Sequence, residues 1–240
     1  MKVNYYNRIT KVLRNRIPPR LLIVFLLIYM AWGFNKAAST AQSCGETAGK
    51  VERGQYRSQI AQTDMVYSVY TPACYDQLQT RYPVAYLMHG SNEDDGQWLR
   101  LGLPEILDQG IADGSLPPMI VVMPYGEWIA NENQFEAVSW ENVFLNELMP
   151  LVESTYRVDT RREARVIGGI SRGGFWALEI AFRHPDLFSV VGGHSAFLDP
   201  GNAPDDFNPI DLATNAPGIE KLAIWLDRGK DDYAAPGLDL

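Results

Sequence analysis

The stretch that most constrains this chain is Arg165-Val166-Ile167-Gly168-Gly169-Ile170-Ser171-Arg172-Gly173-Gly174-Phe175-Trp176-Ala177-Leu178. It opens apolar, like a buried strand. It then compresses to glycines around one serine and continues with Ala177, Leu178, Ala181 and Phe182 at helical spacing. Gly169-Ile170-Ser171-Arg172-Gly173 fits G-x-S-x-G on a sharp strand-to-helix turn. A serine on such a turn sits in strained backbone geometry, and glycines at both flanks remove Cβ atoms that would collide with the neighbouring strand or helix. The hydroxyl then stands clear. The following helix N-terminus aims amide N–H groups and partial positive charge at a developing oxyanion. Ser171 is therefore the candidate nucleophile, with Gly169 and Gly173 forming the elbow.

Around this stretch, short apolar runs alternate with helical patterns. Gln55–Ile60 and Met65–Thr71 alternate apolar and polar residues about Gln62-Thr63-Asp64, as in a half-exposed hairpin. Pro83–Met88, Met119–Met123, Ser189–His194 and Leu222–Leu226 read as buried parallel strands. Helices are expected around Leu103–Gly110, over Val143–Tyr156 and after the elbow, and 126–139 as a loop over the site. The pattern predicts an α/β fold with a mostly parallel sheet and an antiparallel hairpin at one edge.

The 240 residues suffice for one domain with a sizeable core. Lys2, Arg8, Lys11, Arg14, Arg16 and Arg20 precede an apolar run from Leu21 to Phe34, and no acid occurs before Glu46. This describes a secretory signal over 1–41, cleaved after Ala41. The alternative is retention as a tilted membrane anchor through residues 17–38. Either way the rest is exported to the periplasm, the exterior or the outer membrane face. Residues 42–53 read as a flexible lead-in, and 54–240 as the folded domain. Removing the seven cations of 1–41 from the chain's 21 leaves 14 against 29 acids, a net of −15. That excludes a nucleic-acid partner. Cys44 and Cys74 are the only cysteines, and in an oxidising compartment an even pair suggests one disulfide. A zinc site is not expected from two cysteines thirty residues apart without paired histidines.

Taken together, these pieces resemble the putative-esterase branch of the α/β-hydrolases, which includes S-formylglutathione hydrolases, feruloyl and acetylxylan esterases and the antigen 85 mycolyltransferases. The resemblance is carried by Tyr86–Ser91, Pro117–Pro124, Glu147–Glu153 with Tyr156-Arg157, Gly168–Gly174, His184–Phe188 and Gly229-Lys230-Asp231-Asp232. It covers about residues 55–233 in the family's order. It implies an α/β-hydrolase fold and hydrolysis of carboxylic esters through an acyl-enzyme, with no metal or organic cofactor. The implied oxyanion donors are the amides of Ser91 and Arg172, whose side chains need not matter. Losing one such donor typically costs ~3 kcal/mol. Asp232 matches the family acid, with Asp231 as fallback. His89 belongs to the His-Gly signature that organises the oxyanion turn. His184 caps or packs in the His-Pro-Asp turn.

The pattern breaks at the base. The family order is Ser…Asp…His, yet no histidine follows Asp232, and the family's final strand and helix are missing. Three explanations stay open: the sequence is a C-terminally truncated esterase, His194 (or His89) substitutes as base, or the chain binds without catalysis on a degenerate hydrolase fold. A triad lacking one member keeps only a residual rate, roughly 10³–10⁴-fold over water. Acyl transfer to another acceptor uses the same parts. Trp98, Trp128, Phe135 and Trp176 are read either as an aromatic acyl pocket or as core.

Overall fold

The computed structural model describes residues 44–232 and Leu238. Seven strands form one sheet: β1 (Lys50–Arg57), β2 (Asp64–Thr71), β3 (Val84–Met88), β4 (Ile120–Pro124), β5 (Arg165–Ile170), β6 (Val190–His194) and β7 (Ala223–Asp227). Their spatial order is β1-β2-β4-β3-β5-β6-β7. The β1–β2 hairpin is antiparallel and joins β4 antiparallel; β4-β3-β5-β6-β7 run parallel. This is the α/β-hydrolase architecture expected from the sequence, with the hairpin at one edge.

The helices are α1 (Gln97–Arg100), α2 (Leu103–Ala112), α3 (Trp140–Val143), α4 (Met149–Thr155), α5 (Arg172–Arg183) and α6 (Pro209–Asn215). They cover both faces of the sheet, so the central strands are apolar on both sides. On one face Val84, Tyr86, Val122, Ile167 and Val191 pack with Phe144, Val152, Phe175 and Ile180. On the other, Ala85, Leu87, Val121 and Val166 pack with Trp98, Leu103 and Leu107. Strand β5 is thus clamped from both sides, and the turn at its end is held by core on each face.

Several boundaries differ from the sequence reading. Strand β1 begins at Lys50, inside the stretch expected to be a flexible lead-in. Its polar side chains are largely exposed, and its strand geometry comes from the ladder to β2 rather than from an apolar face. The helix expected over Val143–Tyr156 starts at Trp140, where the Ser139 hydroxyl accepts the Asn142 N–H as an N-cap, and widens to a π-helical segment over Phe144–Leu148. Helix α6 was not anticipated; Asn208 caps it. Cys44 and Cys74 are brought together, Cα atoms 5.7 Å apart, a spacing a disulfide can bridge. No helix among the described residues is long and apolar enough to cross a membrane. The expected signal or anchor lies outside the described residues.

Candidate active site

Ser171 stands between β5 and α5 with φ 53° and ψ −115°. That is outside the favoured regions for an L residue and costs on the order of 1–3 kcal/mol. Three main-chain bonds hold it there. The Ser171 N–H donates to His194 O (2.9 Å), and Ser171 O accepts from Phe175 N–H (3.0 Å) and Phe197 N–H (3.0 Å). The glycines make the turn fit. A Cβ on Gly169 would lie 2.3 Å from the Gly173 carbonyl, and one on Gly173 would lie 2.4 Å from His89 O. Gly173 therefore lets the first turn of α5 rest directly on the His89-Gly90 turn.

That turn is pinned by its own side chains. His89 is buried; its Nε2 accepts Gly126 N–H (2.9 Å), so Nδ1 carries the proton and donates to Gly90 O (2.7 Å). Burial holds the imidazole below its ordinary pKa, against the smaller pull of Gly90 O and nearby acids. The Gly90 N–H donates to Gln97 Oε1 (2.8 Å). Buried Asp95, in the same loop, accepts Arg53 Nε (2.8 Å), Arg53 Nη2 (2.9 Å) and Ser68 Oγ (2.7 Å). The edge hairpin thus anchors the loop that carries the Ser91 amide. The first amides of α5, beginning at Arg172, lack intrahelical acceptors by geometry.

Ser91, Ser171 and Arg172 share a cleft of about 310 Å³, lined also by Asn131, Asn133, Phe197 and Asn202. The expected nucleophile and both expected oxyanion residues are brought together. The 126–139 loop forms a wall, as anticipated.

A family profile described as "Putative esterase" matches residues 58–236. The chain belongs to this esterase family. Membership classes it with carboxylic ester hydrolases. The chain is 32% identical over 157 residues to an endo-1,4-beta-xylanase/feruloyl esterase of Xylanibacter ruminicola, covering 60% of this chain and 21% of that protein. It is 30% identical over 185 residues to endo-1,4-beta-xylanase Y of Acetivibrio thermocellus, covering 72% of this chain and 16% of the relative. It therefore spans about a fifth of the length of these curated relatives. A solved ferulic acid esterase superposes with a TM-score of 0.71 at 27% identity, covering 79% of this chain and 82% of that one.

In this esterase-family chain, the strand end that carries the expected substitute base adjoins the nucleophile's turn through the bond from Ser171 N–H to His194 O. His194 ends β6, in register with Ile170 on β5 and Asp227 on β7. Its Nδ1 donates to Asp227 Oδ1 (2.7 Å). Burial opposes the imidazolium, but the hydrogen bond and charge of Asp227, with Asp232 adding, hold His194 above its ordinary pKa. Asp232, expected to orient the base, accepts Ser195 Oγ, and it is Asp227 that bonds His194. Asp231 is exposed in a turn. The sequence reading missed Asp227, although both residues end adjacent strands, where the crevice of an open α/β sheet lies.

The histidine at the end of α5 has a packing role. His184 Nε2 bonds Glu141 Oε1 (2.7 Å) in a cluster with Arg183 and fully buried Glu179. Burial, then the Glu141 charge, keeps the Glu179 carboxyl well above the usual range against the pull of Arg183. The aromatic acyl pocket is not formed. Trp98, Phe135 and Trp176 are buried in core, and Trp128 is 43% exposed. Phe135 packs on Phe175, Trp176 and Phe207. The aromatic ring at the cleft is instead Phe197. Among the described residues, no group of three or more His, Cys, Asp or Glu is arranged to hold a metal ion.

Proposed function

We propose that this chain is an exported serine esterase that hydrolyses carboxylic esters through an acyl-enzyme on Ser171. The reading is carried by one observation: Ser171, at a strained strand–helix junction, opens into the cleft it shares with Ser91 and Arg172. The Ser171 Oγ attacks the ester carbonyl and its proton passes to a base. The amides of Ser91 and Arg172 donate to the oxyanion, the alcohol leaves with a proton, and water releases the acid. The names of the relatives and the cleft wall of asparagine amides support an ester whose acid or alcohol carries hydroxyl or ether oxygens, such as a plant-polymer ester. His194, oriented through Nδ1 by Asp227, is the base this reading assigns within the described residues.

A second reading, ligand binding without turnover, rests on the bond that Asp232 accepts from Ser195 while His194 bonds Asp227. A fluorophosphonate probe separates the two. Labelling of the wild type, lost in Ser171→Ala, supports the esterase; an inert wild type supports binding alone. Export carries with it a Cys44–Cys74 bridge. Mass determination without reductant tests this, and two free thiols in exported material would remove it.

A further inference from the structure

The Arg172 side chain does work that its amide does not. It is only 6% exposed, although it borders the cleft. Its Nε donates to Ala130 O (3.1 Å), and its Nη2 donates to Glu132 O (2.8 Å) and Asn133 Oδ1 (2.5 Å). The guanidinium carbon lies 4.9 Å from the Phe175 ring centre and 5.2 Å from that of Trp176. Trp176 Nε1 adds a parallel tie to Ala130 O (2.8 Å).

A guanidinium only donates, so Asn133 must turn its Oδ1 toward it. That leaves Asn133 Nδ2 to donate to Asn202 Oδ1 (3.2 Å), which fixes the Asn202 amide in turn. One cation thereby orients two neutral amides in series. Arg172, Asn133 and Asn202 come from three segments: α5, the 126–139 loop and the loop between β6 and α6. All three line the cleft.

We propose that Arg172 is a positioning residue whose side chain ties two cleft walls to the nucleophile's helix and so sets the site for the larger portion of the substrate. The consequence for turnover rests on the esterase reading; the tie itself does not. Lysine cannot reproduce it, because a point charge lacks the planar fork that reaches three acceptors. A small acetyl group needs little of the wall, whereas a bulky aromatic acyl group needs both loops in place.

The test uses the full chain with Arg172→Met, Arg172→Lys, Asn202→Ala and the double variant Arg172→Met/Asn202→Ala. Hydrogen exchange is expected to speed up across residues 129–135 and 199–208 in Arg172→Met, with β3 and β5 still protected. On p-nitrophenyl acetate and methyl cinnamate, Arg172→Met should lose about tenfold more kcat/KM on the cinnamate, mainly through KM, which is the worth of one charge-assisted hydrogen bond. Arg172→Lys should recover only part of this. Asn202→Ala should add little on top of Arg172→Met, since both cut one chain. Unchanged exchange in both loops, equal losses on the two esters, or additive effects would each overturn the proposal. If Arg172→Met fails to fold, Arg172→Lys and Asn202→Ala carry the same comparisons. If the wild type neither labels with fluorophosphonate nor cleaves either ester, the esterase reading falls and the exchange comparison alone decides the tie.

Discussion

His89 Nε2 accepts the main-chain N–H of Gly126 at 2.9 Å, joining the turn after β3 to the turn after β4. This bond requires a neutral imidazole, and burial favours the neutral form. The folded pKa is therefore below the unfolded value of ~6.5. The contribution to stability is fully present above that value and is lost as pH falls toward the folded pKa. The share of the melting temperature that this bond supplies should decline from pH 7.5 to 5.0, while the share from the His194–Asp227 pair runs the other way. His89→Gln, which offers an acceptor and a donor but does not titrate, should lower the melting temperature at pH 7.5 and flatten this slope.

Gly173 and Gly90 should respond differently to a methyl group. A Cβ at Gly173 would meet His89 O at 2.4 Å and Met88 O at 2.6 Å, both main-chain atoms. Gly173→Ala should destabilise by about 1–3 kcal/mol, as overpacking does. A Cβ at Gly90 would lie 3.5 Å from Ser171 Cβ, an ordinary contact. Gly90→Ala should melt like the wild type yet slow fluorophosphonate labelling, because the methyl crowds the serine.

The Arg53–Asp95–Ser68 junction gives the edge hairpin a part in the site. Asp95→Ala removes a buried carboxylate from three donors. Chemical denaturation should show a loss of about 2–3 kcal/mol, in the range for hydrogen bonds to charged groups. The labelling rate at Ser171 should fall as well, since the loop bearing the Ser91 amide loses its anchor. A variant at Asp64, on the exposed end of the same hairpin, should change neither by a measurable amount.

The His194–Asp227 pair makes a prediction about pH. Asp227 raises the imidazole pKa above ~6.5. If His194 takes the Ser171 proton, kcat/KM should rise with pH through that raised value, and Asp227→Asn should shift the limb to lower pH. The stabilising effect of the pair has the opposite slope: it is complete below ~6.5 and is lost as pH rises through the folded pKa. A limb that Asp227→Asn does not move would assign the base elsewhere.

Local pattern was enough for the parallel strands and the elbow. Val84–Met88 and Ile120–Pro124 are buried at every position, which leaves an unbroken apolar run that needs no knowledge of neighbours. The elbow was equally legible, because glycines around a serine encode a backbone conformation rather than a contact. Strand β1 was less so: with Lys50, Val51, Glu52 and Arg53 all exposed, nothing in its side chains marks where pairing begins. The four aromatics were ambiguous for a related reason. Composition does not reveal which face a ring turns to, and Phe197 reached the cleft while Phe135 and Trp176 went into the core.

By itself the sequence determined the mostly parallel sheet with its edge hairpin and the strand–turn–helix that carries Ser171, since each rests on covalent geometry and on hydrophobic period along the chain. Tertiary structure alone decided that Asp227 bonds His194, that Asp95 ties the hairpin to the loop after β3, and that Arg172 reaches across to Asn133. Those pairs are separated by 33, 42 and 39 residues. A hydrogen bond depends on distances of a few ångströms between side chains, and residues so far apart in the chain acquire such distances only when the sheet has set their strands and loops side by side.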